Sequence, residues 1–197
     1  MHICILNLNI MYGFIESTMT GDELIYPEKQ VNLSDYKIKD LLPIIDQGSD
    51  GICCSCVASE MQHINNLYNH TGEIPIDYVY NKRKDKSLDG MTPKEALEIL
   101  QTDGFINLYG RITSILSLKN SLIVNGPALI ALPVYSNNSD FWNGDRFMGR
   151  HAVSVVGYNE DGFLIKNSWG EDWGDFGYSI LPYWQSNKII ESWCIIA

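Results

Sequence analysis

The sequence predicts an α+β fold in which a helical N-terminal lobe packs against an antiparallel β-sheet. Two observations lead to this prediction. Up to about residue 126, apolar residues recur at helical spacing and are followed by residues that end helices. From residue 128 onward, short runs rich in β-branched and aromatic residues alternate with turn residues. Helices first and strands second indicate two lobes, and the cleft between such lobes is a usual position for a site.

The first predicted helix runs from Cys53 to about His70 and places three cysteines in its first turn. Its apolar residues recur at steps of four, three and four: Val57, Met61, Ile64 and Tyr68. Gly72 follows as a stop signal.

The second and third helices have clear end signals. In "TPKEALEIL", Thr92 is the predicted N-cap, Pro93 the first helical residue and Glu95 the partner in a capping box. A shorter helix is predicted from Ser117 to Val124, where "NGP" closes it.

Five strands are predicted after residue 127, in "ALIALPVY", "HAVSVVGY", "GFLIKNS", "GYSILPY" and "SWCIIA". A tight hairpin is expected at residues 159–162, and a further strand is expected where apolar residues alternate between positions 3 and 10. Residues 1–30 are predicted to be an N-terminal extension packed on the body of the protein, which spans residues 31–197.

Composition and charge exclude several classes of partner. The 197 residues are 45% apolar and 19% charged, which suits a globular chain with a substantial core. Lys plus Arg number 14 and Asp plus Glu 24, so the net charge is −10, and no basic run interrupts the balance. We therefore expect no nucleic-acid or membrane partner. Neither a signal peptide nor a membrane-spanning segment is predicted, and the chain is expected to be a monomer unless it belongs to a larger assembly.

The cysteines predict a reducing compartment, such as the cytoplasm. They stand at positions 4, 53, 54, 56 and 194, an odd count whose three neighbours cannot readily bridge one another. Cys54 and Cys56 are expected to be small core residues. A zinc site is rejected, because adjacent helical cysteines point about 100° apart. No metal or organic cofactor is predicted.

One cysteine in this group is a candidate nucleophile, because a helix N-terminus and a nearby histidine both favour a thiolate. The chain has four histidines. His63 and His70 lie ten or more residues along the same helix, at least about 15 Å away, and His2 lies in the N-terminal segment. His151 is therefore the best candidate base. Asn167, across the predicted hairpin, can supply an amide oxygen to orient it.

Three segments, in the order Cys, His, Asn, resemble the papain-like cysteine peptidases. "DQGSDGICCS" resembles the Gln-Gly-x-x-Gly-Ser-Cys block of that family, and "GRHAVSVVGY" resembles its His-Ala-Val block. "IKNSWGEDWGDFGYSIL" resembles its long Lys-Asn-Ser-Trp-Gly block. The resemblance covers the chain from about Val31 to the C-terminus and implies the two-lobe papain-like fold with an active-site cleft between the lobes.

The resemblance also assigns the catalytic positions. In the family, the glutamine of the oxyanion hole precedes the nucleophile by six positions, and Cys53 stands six positions after Gln47. His151 then corresponds to the base and Asn167 to the residue that orients it. Trp169 would cover the hydrogen bond between them.

The substrate-binding positions follow from the same resemblance. "DGMTPKEAL" resembles the stretch that binds the peptide backbone, so Gly90 and Met91 are expected to pair with the substrate main chain. Thr92 and Pro93 would line a pocket. The resemblance also assigns Ala131 and Arg150 to the substrate-binding site.

The chain departs from the family at several positions. Asp50 replaces a cysteine that forms a disulfide in secreted members, Ile52 replaces a usual serine, and Cys54 replaces a common aromatic residue. The Cys-to-His separation is 151 − 53 = 98 residues, below the roughly 130 of the plant and lysosomal signature. Only 46 residues precede Gln47, so control by a long inhibitory prosegment is not expected.

The predicted function is hydrolysis of peptide or protein substrates through a thioester acyl-enzyme. Two alternatives remain open. The same nucleophile is compatible with an amidase, a transpeptidase or a cell-wall hydrolase that acts on non-protein amides. A papain-like fold used only for binding or as a structural module is the other alternative.

Overall fold

A seven-stranded antiparallel sheet forms the centre of the computed structural model, which describes residues 13–196. The strands are β1 (Tyr36–Lys37), β2 (Leu108–Arg111), β3 (Ala128–Val134), β4 (Gly149–Tyr158), β5 (Gly162–Lys166), β6 (Tyr178–Pro182) and β7 (Glu191–Ile196). Their spatial order is β2-β7-β3-β4-β5-β6, and β1 pairs with the end of β4. The helices are α1 (Cys53–Asn69), α2 (Tyr78–Asn81), α3 (Pro93–Thr102) and α4 (Ile115–Asn125), with a 3₁₀ helix at Tyr183–Lys188.

The α+β prediction is confirmed, and the strands after residue 127 lie where the sequence places them. The first half of the chain differs from the prediction because it also contributes β1 and β2 to the sheet. These strands have only two and four residues. They are too short to show alternation, so their pairing with β4 and β7 decides their conformation. The strand predicted between positions 3 and 10, like His2 and Cys4, lies outside the described residues.

The helix caps differ from the prediction in one respect. Thr92 caps α3 as expected, because its hydroxyl accepts a hydrogen bond of 3.0 Å from the Glu95 N–H. The Glu95 carboxylate, however, accepts from the Lys84 N–H at 2.6 Å instead of returning to Thr92. A reciprocal capping box occurs at α4, between Ser114 and Ser117.

Both faces of the sheet are buried. Along β3, Leu129 and Ala131 pack into the cluster that contains α1 and α3, whereas Ile130 and Leu132 pack into the cluster that contains α4. This is the two-residue alternation of a strand with helices on each side. None of the helices within residues 13–196 combines the length and apolarity needed to cross a bilayer.

A buried ion pair ties α1 to the sheet. The Glu60 carboxylate of α1 contacts the Lys166 ammonium at the end of β5, and both side chains are at most 4% exposed. The Leu42 backbone completes the group, since its carbonyl accepts from Lys166 at 2.6 Å and its N–H donates to Glu60 at 2.9 Å. This network sets the position of α1 relative to the residue that follows Lys166, which is Asn167.

Candidate active site

Cys53 is the first residue of α1. Ile52, which precedes it, provides no side-chain cap, so the first N–H groups of the helix have no side-chain acceptor at that position. Their partial positive charge favours an anion at the helix N-terminus. The Cys53 side chain is fully buried.

The pKa of the Cys53 thiol is set by opposing effects. Burial raises it, but hydrogen bonds from Cys54 and His151, the charge of His151 and the Ala152 backbone together lower it well below the ordinary value of 9.0. The same burial raises the pKa of Cys54, and it raises that of Cys56 to about 12. Among the three neighbouring cysteines, only Cys53 therefore has a lowered pKa, which favours its thiolate form.

His151 lies in β4 and contacts Asn167 across the β4–β5 hairpin. Its Nε2–H donates to Asn167 Oδ1 at 2.6 Å. Asn167 Oδ1 also accepts from the Ser168 N–H at 2.8 Å, which fixes the orientation of the amide. Because Nε2 is bonded to Asn167, Nδ1 is the ring nitrogen that can exchange a proton with the Cys53 thiol.

Two aromatic rings cover His151. Trp169 stacks on the imidazole, with ring centroids 4.6 Å apart and 26° between the planes. Phe141 packs its edge against the same ring at 5.6 Å. Trp169 is at the predicted position. Phe141 was not predicted, because it lies in an irregular segment between β3 and β4 that has no periodic pattern.

Gln47 is held beside α1 by hydrogen bonds at both ends of its side-chain amide. Its Oε1 accepts from the Ser168 hydroxyl at 2.6 Å, and its Nε2 donates to the Asp50 carbonyl at 2.7 Å. The backbone N–H of Gln47 donates to the Ser168 carbonyl at 2.9 Å. The second N–H of Gln47 Nε2 is left for another acceptor, and the two hydrogen bonds of the amide fix the direction in which it points. Ser168 was not singled out from the sequence, although it lies within the "KNSWG" block.

The N-terminal segment pairs with the backbone that was predicted to bind substrate. The Met91 N–H donates to the Gly13 carbonyl at 3.0 Å, and the Ile15 N–H donates to the Met91 carbonyl at 3.1 Å. Phe14, between them, is buried in the cluster that contains Cys53. The backbone N–H and carbonyl of Met91 are therefore already hydrogen-bonded to an extended segment of the same chain.

The other predicted substrate-binding residues have different surroundings. Gly90 lies against the Gly13 carbonyl, and Pro93 is buried at the start of α3. The Thr92 hydroxyl is engaged as the N-cap. Ala131 is fully buried in β3.

Arg150 is exposed beside His151 and faces the N-terminal segment. Its guanidinium lies 3.5 Å from the Glu16 carboxylate and also lies over the Phe147 ring. The segment thus contacts the site at Arg150 as well as at Met91.

The remaining histidines of the described chain are not near the site. His63 makes a hydrogen bond of 3.0 Å with the Asp40 carbonyl, and His70 forms the left-handed C-cap of α1. Within residues 13–196, no three His, Cys, Asp or Glu side chains are grouped so as to hold a metal ion.

Two relatives among the curated proteins are both longer than this chain. The cathepsin B-like protein CP3 of Giardia intestinalis is 40% identical over 73 residues, which are 32% of this chain and 24% of the relative. The rice cysteine endopeptidase Rep1 is 24% identical over 82% of this chain and 44% of its own length. The chain thus spans less than half the length of these relatives.

Comparison with solved structures supports the same fold. Xylellain, a cysteine protease from Xylella fastidiosa, superposes with a TM-score of 0.77 at 20% identity, over 93% of this chain and 95% of xylellain. The Carica candamarcensis cysteine protease CMS1MS2, solved in complex with E-64, gives a TM-score of 0.67 at 20% identity, over 83% of this chain and 98% of that protease. The sequence profile of the family described as "Papain family cysteine protease" matches residues 17–194. The chain therefore belongs to the papain family of cysteine proteases.

Proposed function

We propose that this protein is a cysteine peptidase that hydrolyses peptide bonds through a thioester acyl-enzyme. The observation that carries this proposal is the buried array at the start of α1. There, the thiol of Cys53, whose pKa is lowered, interacts with His151, and His151 Nε2–H donates to Asn167 at 2.6 Å. A nucleophile, a base and a residue that orients the base are the three parts that thiol acyl transfer requires.

In the proposed mechanism, the Cys53 thiolate attacks the carbonyl carbon of the substrate peptide bond. Protonated His151 then donates its proton to the leaving amine, which leaves a thioester on Cys53. Neutral His151 next removes a proton from water, and the resulting attack releases the acid and restores the thiolate. Asn167 keeps the imidazole in the required tautomer, while Trp169 and Phe141 limit the access of water to that hydrogen bond.

The oxyanion of each tetrahedral intermediate would be bound by two donors. One is the Cys53 backbone N–H at the start of α1. The other is the remaining N–H of the Gln47 amide, whose direction is fixed by Ser168 and Asp50. Because both donors are positioned before the reaction, little reorganisation is needed as negative charge develops.

The proposed substrate is an extended peptide or protein segment. Support comes from Met91, whose backbone already binds the extended residues 13–15 through two hydrogen bonds. Main-chain pairing of this kind accepts many side chains, and specificity then comes from neighbouring pockets. We also infer a reducing compartment, such as the cytoplasm, because no disulfide links Cys53, Cys54, Cys56 or Cys194 in the described part of the chain.

The pH dependence of alkylation tests the Cys53–His151 pair. Because the pKa of Cys53 is lowered, the thiolate persists as the pH falls below 9.0, and alkylation by iodoacetamide should have its midpoint well below that value. In His151→Ala the burial of the thiol is no longer offset by the imidazolium, so the midpoint should move upward. Alkylation at Cys53 is followed by mass spectrometry across the pH range. Identical profiles for the two proteins would contradict the proposed pair.

We further propose that residues 1–30 form an extension that restrains the enzyme, because residues 13–15 occupy the backbone of Met91. A Cβ added at Gly13 would lie 2.3 Å from the Gly51 backbone, so Gly13→Ala should displace the segment. A loss of about 1.4 kcal/mol in that contact would make labelling of Cys53 by an epoxysuccinyl inhibitor roughly tenfold faster.

Gly21→Ala is the matched control for this experiment. Gly21 has a φ of +88°, close to the +76° of Gly13, but a Cβ at Gly21 meets nothing within 4 Å. Both substitutions therefore carry similar backbone strain, and only Gly13→Ala removes the contact. Equal labelling rates for wild type and the two variants would show that the segment does not restrain the site.

A further inference from the structure

We propose that Cys56 is a resolving cysteine, which forms a reversible disulfide with Cys53 after a hydroperoxide has oxidised the nucleophile. This inference rests on the nucleophilic role proposed for Cys53, and it adds a redox modification site to the same helix turn. The sequence "CCSC" contains a Cys-x-x-Cys pair, Cys53 and Cys56, at the N-terminus of α1. Because a low-pKa thiol at a helix N-terminus with a second thiol three residues later is the arrangement of dithiol redox motifs, the pair is chemically suited to this role.

Helix geometry permits this pair and disfavours the other pairs within the cluster. Residues three apart on a helix have Cα atoms about 5 Å apart and lie on the same face, within the range that a disulfide spans. Cys53 and Cys54 are adjacent, so their Cα atoms lie only about 3.8 Å apart. Cys54 and Cys56 point to opposite sides of the helix. Cys194 packs in the cluster on the other face of the sheet.

The surroundings of Cys56 connect it to the catalytic array. Its thiol interacts with the Ser168 hydroxyl, which also holds Gln47. It lines a cavity of about 10 Å³ together with Ser154 and Asn167, and its side chain is only 4% exposed. Buried here, Cys56 is shielded from bulk reagents while remaining one helical turn from Cys53.

The chemistry balances with a hydroperoxide as the oxidant. The Cys53 thiolate attacks one peroxide oxygen, the O–O bond breaks, and the released hydroxide or alkoxide takes up a proton, which leaves a sulfenic acid on Cys53. The Cys56 thiol then attacks the Cys53 sulfur while its proton passes to the sulfenic hydroxyl, so that the S–O bond breaks, an S–S bond forms and water leaves. A dithiol restores both thiols by two exchange steps.

The disulfide would switch the enzyme off and protect it. With its sulfur bonded to Cys56, Cys53 is withdrawn from His151 and cannot attack a substrate. Without Cys56, a second hydroperoxide converts the sulfenic acid to a sulfinic acid, which dithiols do not reduce. Because Phe14 packs in the cluster that contains Cys53, oxidation should be faster when the N-terminal segment is displaced.

The test uses the full chain, reduced and then treated with at least about two equivalents of hydrogen peroxide, the amount that oxidation to a sulfinic acid consumes. Free thiols are blocked with N-ethylmaleimide in denaturant, disulfides are reduced, and the released thiols are labelled with iodoacetamide. Peptide fragmentation separates positions 53, 54 and 56. In wild type, Cys53 and Cys56 should carry the iodoacetamide label and Cys54 the N-ethylmaleimide label. Treatment of the oxidised protein with dithiothreitol should return the rate of Cys53 alkylation to its starting value.

Three variants make the test decisive. In Cys56→Ala and Cys56→Ser, Cys53 should gain two oxygens and permanently lose its reaction with iodoacetamide. Cys54→Ala should still form the Cys53–Cys56 disulfide, although more slowly, because it removes a hydrogen bond that lowers the pKa of Cys53. The proposal is overturned if wild type gains two oxygens at Cys53, shows no oxidation there, or pairs Cys53 with another cysteine. Because the readout is mass and not peptide cleavage, its failure is distinguishable from a failure of the proposed peptidase activity.

Discussion

Replacing Cys53 with alanine should reduce peptide hydrolysis to the level of the buffer, a loss of at least about 10⁴-fold in kcat. The variant keeps the helix and the buried environment, because alanine is a good helix former and differs from cysteine by one sulfur atom. Neither neighbouring cysteine can replace it. Burial raises the pKa of Cys54 well above its ordinary value and that of Cys56 to about 12.

The measurement combines hydrolysis of a fluorogenic peptide library with intact-mass labelling by an epoxysuccinyl inhibitor. Wild type should form one adduct, located at Cys53, and both Cys53→Ala and His151→Ala should lose it. Cys194→Ala is the control, because Cys194 is a buried cysteine on the other face of the sheet. Full activity in Cys53→Ala would refute the assigned nucleophile. An unlabelled, inactive wild type would favour the alternative of a papain-like fold used for binding.

Replacing Glu60 with alanine should lower the free energy of unfolding by about 3–5 kcal/mol. This is the largest stability effect that we expect from replacing one buried charged residue. The reason is the charge that remains. Lys166 has a side chain only 4% exposed, so the loss of Glu60 leaves an ammonium group buried beside the Leu42 carbonyl without a counter-charge. Chemical denaturation followed by circular dichroism gives the free energy of unfolding.

Two further variants show whether the cost of Glu60→Ala comes from the buried charge that it leaves on Lys166 or only from the loss of an ion pair. Glu98→Ala removes the partner of Lys84 at the surface, where the side chains are 38% and 81% exposed, and it should cost no more than about 1 kcal/mol. The double variant Glu60→Leu with Lys166→Met removes both charges and should recover most of the stability. Equal costs for Glu60→Ala and Glu98→Ala would show that Lys166 reaches water.

Local sequence determined much of this protein. The helical spacing after Cys53, the Thr92-Pro93 start of α3 and the turn residues at 159–162 each act within a few neighbouring residues, so their structures follow from local preferences. The three motif blocks also led to the prediction of Cys53, His151 and Asn167 as site residues, because each block places its candidate residue among characteristic neighbours.

Only the tertiary structure decided which distant groups meet. Ser168 holds Gln47 across 121 residues, and Lys166 reaches Glu60 across 106. Residues 13–15 pair with Met91 although nothing near either segment indicates it. Such contacts depend on how the sheet brings separate segments together, and a hydrogen bond between distant residues imposes no pattern on the neighbours of either one. The local sequence therefore predicted the helices, the later strands and the candidate reactive side chains, whereas the folded chain decided which distant groups hold and cover them.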